Sequence, residues 1–134
     1  MKLVIIINSS LPKGLCANTA AIIGMSIGKL NPEFIGYDIK SHEDVTYSGI
    51  TSRPVPVLKT DEQNLKEIFK NISVNHSETI TSIPFTKTAQ MSKTYDDYSE
   101  KLKKSNIENL DLNGLGLIGP KDIIDKITDG MKLL

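Results

Sequence analysis

Leu3-Val4-Ile5-Ile6-Ile7 is an apolar run with no alternation, and it stops abruptly at Asn8-Ser9-Ser10. A short continuous run rich in β-branched residues suits a strand covered on both faces. The turn-rich hinge Ser10-Leu11-Pro12-Lys13-Gly14 follows, and Leu15–Leu30 then reads as a helix. A buried strand leading through a short loop into a helix start is where an open α/β sheet holds a ligand. These thirty residues limit the chain to folds with a covered central strand.

With 134 residues the reading is one domain, 1–134, large enough for a core that needs no disulfide or metal. The net charge is formally zero, which disfavours tRNA or an acidic membrane as a partner attracted by bulk charge. Cys16 is the only cysteine, so no disulfide forms within the chain and a reducing compartment is expected. The N-terminal apolar run is too short for a signal segment, and no stretch has the length of a membrane span. The expectation is a soluble, cytoplasmic protein.

Along the first helix, Ile23, Ile27 and Leu30 form an apolar ridge, while Ala17, Ala21, Gly24 and Gly28 form a stripe of small residues. The stripe is expected to pack on the sheet, or else on a second copy of the same helix. Asn31-Pro32 ends the helix. Phe34–Tyr37 and Val45–Tyr47 read as short strands, and Pro54–Lys59 as a strand held at an edge, or half outside the ladder, by its prolines. Thr60 reads as the cap of a helix running to about Lys70, with Leu65, Ile68 and Phe69 inward and Ile72 just past its end. Glu78–Phe85 reads as a strand. One long polar helix, capped by Thr86 or Thr88, continues through Leu102. Leu110–Gly119 is a last strand in which Gly114 and Gly116 mark a close neighbour. Gly119-Pro120 opens a final helix that Gly130 ends, followed by a short apolar tail. Strands alternating with helices predict an α/β fold around a mixed, mainly parallel sheet with helices on both faces.

Few residue patterns carry chemistry. The hinge lacks a phosphate-loop signature, His42 and His76 stand far apart without metal-ligand spacing, and no serine sits in a Gly-x-Ser-x-Gly elbow. No metal and no cofactor are expected. What remains is the start of the first helix, where free N–H groups and the helix dipole favour an anion. Lys13 and Gly14 stand there, with Cys16 and Asn18 in the first turns. The loop Pro84–Gln90 adds the hydroxyls of Thr86 and Thr88. The expected ligand-binding set is therefore Lys13, Gly14, Cys16, Asn18, Thr86 and Thr88, with Lys13, Thr86 and Thr88 as the catalytic candidates.

Three stretches belong together. They are Lys2–Gly24, with a Leu-x-x-Gly hinge and an Ala-rich helix; Tyr95–Leu102, with spaced tyrosines; and Gly114-Leu115-Gly116-Leu117-Ile118-Gly119-Pro120, continuing through Asp125-Lys126-Ile127-Thr128 to Lys132-Leu133-Leu134. In this order and spacing they resemble the peptidyl-tRNA hydrolase II superfamily, and more closely its uncharacterised branch, the domain-of-unknown-function family numbered two thousand. The resemblance implies a three-layer α/β/α sandwich, often dimeric. The hydrolases resemble Gly-Lys-x-Ala-Ala-Gln-x-x-His-Ala at the first helix. Here Asn18 stands for the glutamine, Ala21 for the histidine, and Lys13 is a shifted stand-in for the lysine. Their Asp-Ala-Gly-x-Thr loop is matched by Pro84-Phe85-Thr86-Lys87-Thr88, without the aspartate. Asp129-Gly130 replaces their later Gly-His. A hydrolase that loses this carboxylate loses the partner that activates water or orients the lysine.

Three expectations follow. The leading one is a non-hydrolytic domain holding a small anionic or nucleotide-like ligand at the first helix. The second is a divergent aminoacyl-ester or peptidyl-tRNA hydrolase using Lys13. The third is a homodimeric interaction protein using the small-residue stripe.

Overall fold

The first strand, β1 (Lys2–Asn8), lies inside the sheet, and both of its faces are covered. The computed structural model describes all residues, 1–134. After β1 come α1 (Lys13–Leu30), a short hairpin of β2 (Ile39–Lys40) and β3 (Thr46–Tyr47), β4 (Val57–Thr60) and α2 (Glu62–Asn75). The chain continues through β5 (Thr81–Thr86), α3 (Lys87–Met91), α4 (Tyr95–Lys103), β6 (Leu112–Gly119), α5 (Lys121–Ile127) and β7 (Lys132–Leu133). Five strands form one sheet in the order β5-β6-β1-β4-β7, and β2-β3 stands apart.

Side chains alternate across β1, and the core divides accordingly. Val4 and Ile6 pack with Leu65, Ile68 and Ile72 of α2 and Ile124 of α5. Leu3, Ile5 and Ile7 pack with Cys16, Ile23 and Ile27 of α1. Each fully buried isoleucine contributes about 2 kcal/mol of apolar transfer free energy. The continuous apolar run therefore reads correctly as a strand buried on both sides.

The sheet is mixed, but it is not mainly parallel. Of its four pairings only β1–β4 is parallel; β1–β6, β5–β6 and β4–β7 are antiparallel. The alternation of strands and helices does produce three strands running the same way. β4 is parallel to β1, and β5 is antiparallel to β6, which is antiparallel to β1. β6 inserts between β5 and β1 in the opposite sense. The reason lies in residues 87–111. They do not cross the sheet but return to the end they left, so that Leu112 pairs with Thr86 and the Lys87 N–H donates to the Asp111 carbonyl at 2.9 Å. Two helices in sequence mimic a crossover while the chain makes a long hairpin connection.

Several boundaries shift for local reasons. Asp61, not Thr60, caps α2, accepting the Asn64 N–H at 2.7 Å, and the helix continues to Asn75 with Ile72 buried inside it. The single long helix expected after Thr86 is two, because Thr94 caps a second start by accepting the Asp97 N–H at 3.0 Å. Phe34 lies in a 3-10 turn instead of a strand, and Ile35 bridges to Thr51. The apolar tail is β7, which pairs with β4; β4 is thus an inner strand, with its prolines before the ladder. Gly130, at φ 77°, makes the reversal into β7.

The stripe of small residues does not pack on the sheet. Ala17 and Ala21 are exposed, and the inner face of α1 is Cys16, Thr19, Ile23 and Ile27. The space for that face comes from β6. A Cβ on Gly114 would stand 2.6 Å from Thr19 Cγ2, and one on Gly116 would stand 2.5 Å from Ile23 Cγ2. The small residues that matter for close approach are on the strand, as the pattern of β6 predicts. Leu30, assigned to the apolar ridge, is exposed.

Candidate functional site

β1, β4 and β5 run the same way, and each leads within a few residues into a helix: α1, α2 or α3. Their last residues are level. Asn8 lies beside Thr60, Ile7 beside Gly114, and Thr86 beside Leu112. Three helix N-termini therefore converge at one end of the sheet. Helix starts concentrate unpaired N–H groups and positive dipole ends. Two of the three are closed by side chains: Asp61 on α2, and Thr86 on α3, where its hydroxyl accepts the Ala89 N–H at 3.0 Å. α1 is different. Pro12 occupies its cap position, no side chain bonds its N–H groups, and no carboxylate stands in its first turn.

All four buried polar residues, Asn8, Thr19, Thr86 and Asn113, gather at this end. Asn8 Oδ1 accepts the N–H and hydroxyl of Ser10 at 3.0 and 2.8 Å, which sets the course of the chain into α1. Thr19 donates to the Leu15 carbonyl at 2.7 Å. Asn113, at the irregularity where β6 slips its register against β5, donates to Gln90 Oε1 of α3 at 2.6 Å. A buried polar group costs stability unless it is paired, and each of these is paired within the chain.

The residues singled out by sequence do not gather into one cluster. Lys13 and Gly14 open α1 and are exposed, and Lys13 makes no ion pair. Thr86 and Thr88 stand across β6, the first capping α3 and the second inside it. Cys16 is buried in the core, with its thiol toward the Leu11 carbonyl at 3.5 Å. Asn18 is exposed, and five residues of helix turn it about 140° from Lys13. The hydroxyl of Thr86 is committed to its cap, and the Thr88 carbonyl accepts from Ser92. Lys13 and Gly14 are the members of the set that face solvent beside an unclosed helix start.

Sequence reasoning missed the carboxyl groups of this end. Glu62, first in α2, lies against Asp111, which precedes β6. Desolvation, then a hydrogen bond that the protonated Glu62 donates to Asp111 and the charge of Asp111, hold the Glu62 carboxyl above the ordinary carboxylate range; Lys66 and Lys87 oppose this. The pair joins residues 49 positions apart, so no local pattern reveals it. Asn113 was legible, because a lone asparagine inside an otherwise apolar strand signals a buried polar group.

On the α1 face of the sheet, a groove of about 430 Å³ runs between α1, β5 and α4, lined by Ile22, Ile83, Phe85, Ala89, Tyr95 and Tyr98. The two tyrosines meet edge to face at 5.5 Å. Burial, then the neighbouring Tyr95, raises the Tyr98 phenol above its usual range. The spaced tyrosines of the sequence motif thus form a wall of this groove.

Fold and site together define an α/β protein with a mixed five-stranded sheet and a polar end where three helix starts meet. The chain belongs to the family described as "Protein of unknown function (DUF2000)", which matches residues 1–134. Among solved structures it is similar to a protein of unknown function, Atu0240 of Agrobacterium tumefaciens strain C58. The TM-score is 0.88 at 21% identity, covering 99% of this chain and 96% of that one. No curated protein matches the chain significantly. No helix is long and apolar enough to cross a membrane.

Proposed function

We propose that the protein is a cytoplasmic binding domain that holds a small anionic or nucleotide-like ligand at the start of α1. The observation that carries this reading is the open N-terminus of α1. Alone among the three convergent helices it has neither a capping side chain nor a nearby carboxylate, and Lys13 stands on it unpaired. An anion there accepts from free N–H groups and meets the positive end of the dipole. In this reading the fold is a three-layer α/β/α sandwich of the peptidyl-tRNA hydrolase II-like type, with the hydrolase acid-base set replaced at Asn18, Ala21 and the loop 84–88. The test is a thermal-shift panel of nucleotides, phosphate esters and amino acids. A shift that disappears in Lys13→Ala supports the reading, and no shift with any member overturns it.

A second reading rests on Glu62 and Asp111. A carboxyl group held above its usual range beside Lys87 supplies, from another part of the chain, the acid-base group missing from the loop 84–88. The protein is then a divergent hydrolase of aminoacyl or peptidyl-tRNA esters, with Lys13 stabilising charge. Cleavage of an N-blocked aminoacyl-tRNA by the wild type, lost in both Lys13→Ala and Glu62→Gln, supports it. No cleavage by the folded protein excludes it. The third reading, a homodimer, draws support from Ala17, Ala21 and Met25, which are exposed on α1; sedimentation that stays monomeric at all concentrations ends it.

A further inference from the structure

At the opposite end of the sheet lies a second pocket, of about 270 Å³, and we propose that it binds a small phosphate monoester. Its wall includes Lys2, Leu3, Arg53, Pro54, Pro56 and Lys121. The ionisable side chains of this lining are all cations.

The cations are held in place. Asp125 bridges two of them, accepting from Lys2 at Oδ1 and from Lys121 at Oδ2, the latter at 2.6 Å. One carboxylate therefore keeps two ammonium groups side by side against their repulsion. Each ammonium carries three N–H donors, so donors remain for a ligand. Arg53 is fixed independently: its guanidinium lies 4.4 Å from the centre of the Phe34 ring and donates to the Met1 carbonyl at 2.9 Å. Three cations against one carboxylate leave a surplus of two positive charges here, in a chain whose net charge is zero. A phosphate dianion balances that surplus. Arginine offers it a planar fork of donors and lysine offers point charges.

The rest of the wall selects the body of the ligand. Leu3, the two prolines and the lysine stems are apolar and face the same space. A compact apolar group esterified to phosphate fits better than inorganic phosphate, which leaves that surface wet. The pocket lies at the N-terminal end of β1, away from the α1 start, so its test is independent of the reading above.

The experiment is an amide NMR titration of the intact protein with phenyl phosphate and, separately, inorganic phosphate. Saturable shifts at Leu3, Arg53 and Lys121 are expected, with phenyl phosphate binding about tenfold more tightly than inorganic phosphate. Lys121→Gln and Arg53→Gln each weaken binding about tenfold, and Lys29→Gln on the outside of α1 leaves it unchanged. Lys121 has a side chain 76% exposed, so its replacement threatens binding without threatening the fold. No saturable shift at these amides overturns the proposal, as does equal affinity in Lys121→Gln or for the two phosphates. A short oligonucleotide that shifts the same amides more strongly than phenyl phosphate overturns the assignment to a small molecule.

Discussion

Two carboxyl groups at opposite ends of the same sheet experience opposite fields. Asp125 sits between Lys121 and Lys2, whose hydrogen bonds and charges hold it below the ordinary carboxylate range. Glu62 sits against Asp111, and burial together with that second carboxyl pushes it up. At the first end one carboxylate is shared by two lysines, and a surplus of cations remains. The second keeps a pair of like charges among buried polar residues and helix starts. Unresolved like charges cost stability, and groups with raised or lowered pKa values gather at functional sites more often than elsewhere. The contrast separates an end where opposite charges meet from an end where two carboxyl groups stand together.

The strongest test of that contrast uses glycine. Gly114 and Gly119 stand near the two ends of β6. A Cβ at 114 meets Thr19 Cγ2 at 2.6 Å and the Ile6 carbonyl at 3.0 Å, both in fixed, buried surroundings. At 119 the nearest atom is Ile80 Cγ1 at 2.9 Å. Gly114→Ala is expected to destabilise by about 3 kcal/mol and Gly119→Ala by about 1 kcal/mol in urea unfolding. Equal losses show that the polar end is no more tightly packed than the other.

A smaller effect is expected at the α3 start. Thr86→Ala removes a buried cap and costs about 1 kcal/mol, and Thr86→Ser restores most of it, because a hydroxyl is enough to accept the Ala89 N–H. If the serine variant is as weak as the alanine, packing of the threonine methyl, not capping, sets the role of this residue.

The smallest effects are in pH, and they have opposite signs. The folded-state pKa of Glu62 is raised, so its contribution to stability is full below the unfolded value and is lost as pH rises through the folded one. Glu62→Gln removes that loss and raises Tm at neutral pH. The folded-state pKa of Asp125 is lowered, so its contribution is present above the unfolded value and is lost as pH falls through the folded one. Asp125→Asn lowers Tm at neutral pH, and its difference from the wild type closes in acid. Shifts of the same sign in the two variants would erase the distinction between the ends.

Much of this was legible in the chain. The run Leu3–Ile7 announced a strand buried on both faces, because no exposed face tolerates five consecutive apolar side chains. Gly114 and Gly116 announced the approach of a neighbour, which the structure shows to be α1, because a strand interior keeps glycine where another element needs the room. The place of Lys13 beside the first helix start also followed from the order strand, hinge, helix. Other features stayed open in the sequence because the local signal has two meanings. The motif Thr86-Lys87-Thr88 offers two hydroxyls in sequence, but only Thr86 caps, and its hydroxyl is turned to α3. Cys16 and Asn18 are separated by one residue, yet helical rotation sends the first into the core and leaves the second in solvent.

Local pattern was enough to place β1, β4, β5 and β6, the inward face of α2, and the three helices that begin where β1, β4 and β5 end. These depend on periodicity, turn chemistry and caps, which act within a few residues. Long-range packing set the rest: β6 enters between β5 and β1 in the opposite direction, Glu62 meets Asp111, and Asp125 gathers Lys2 and Lys121. Each of those joins residues far apart in the chain. Hydrophobic patterning has no direction along the sheet, and a charge carries no mark of its distant neighbour until the core brings the two together.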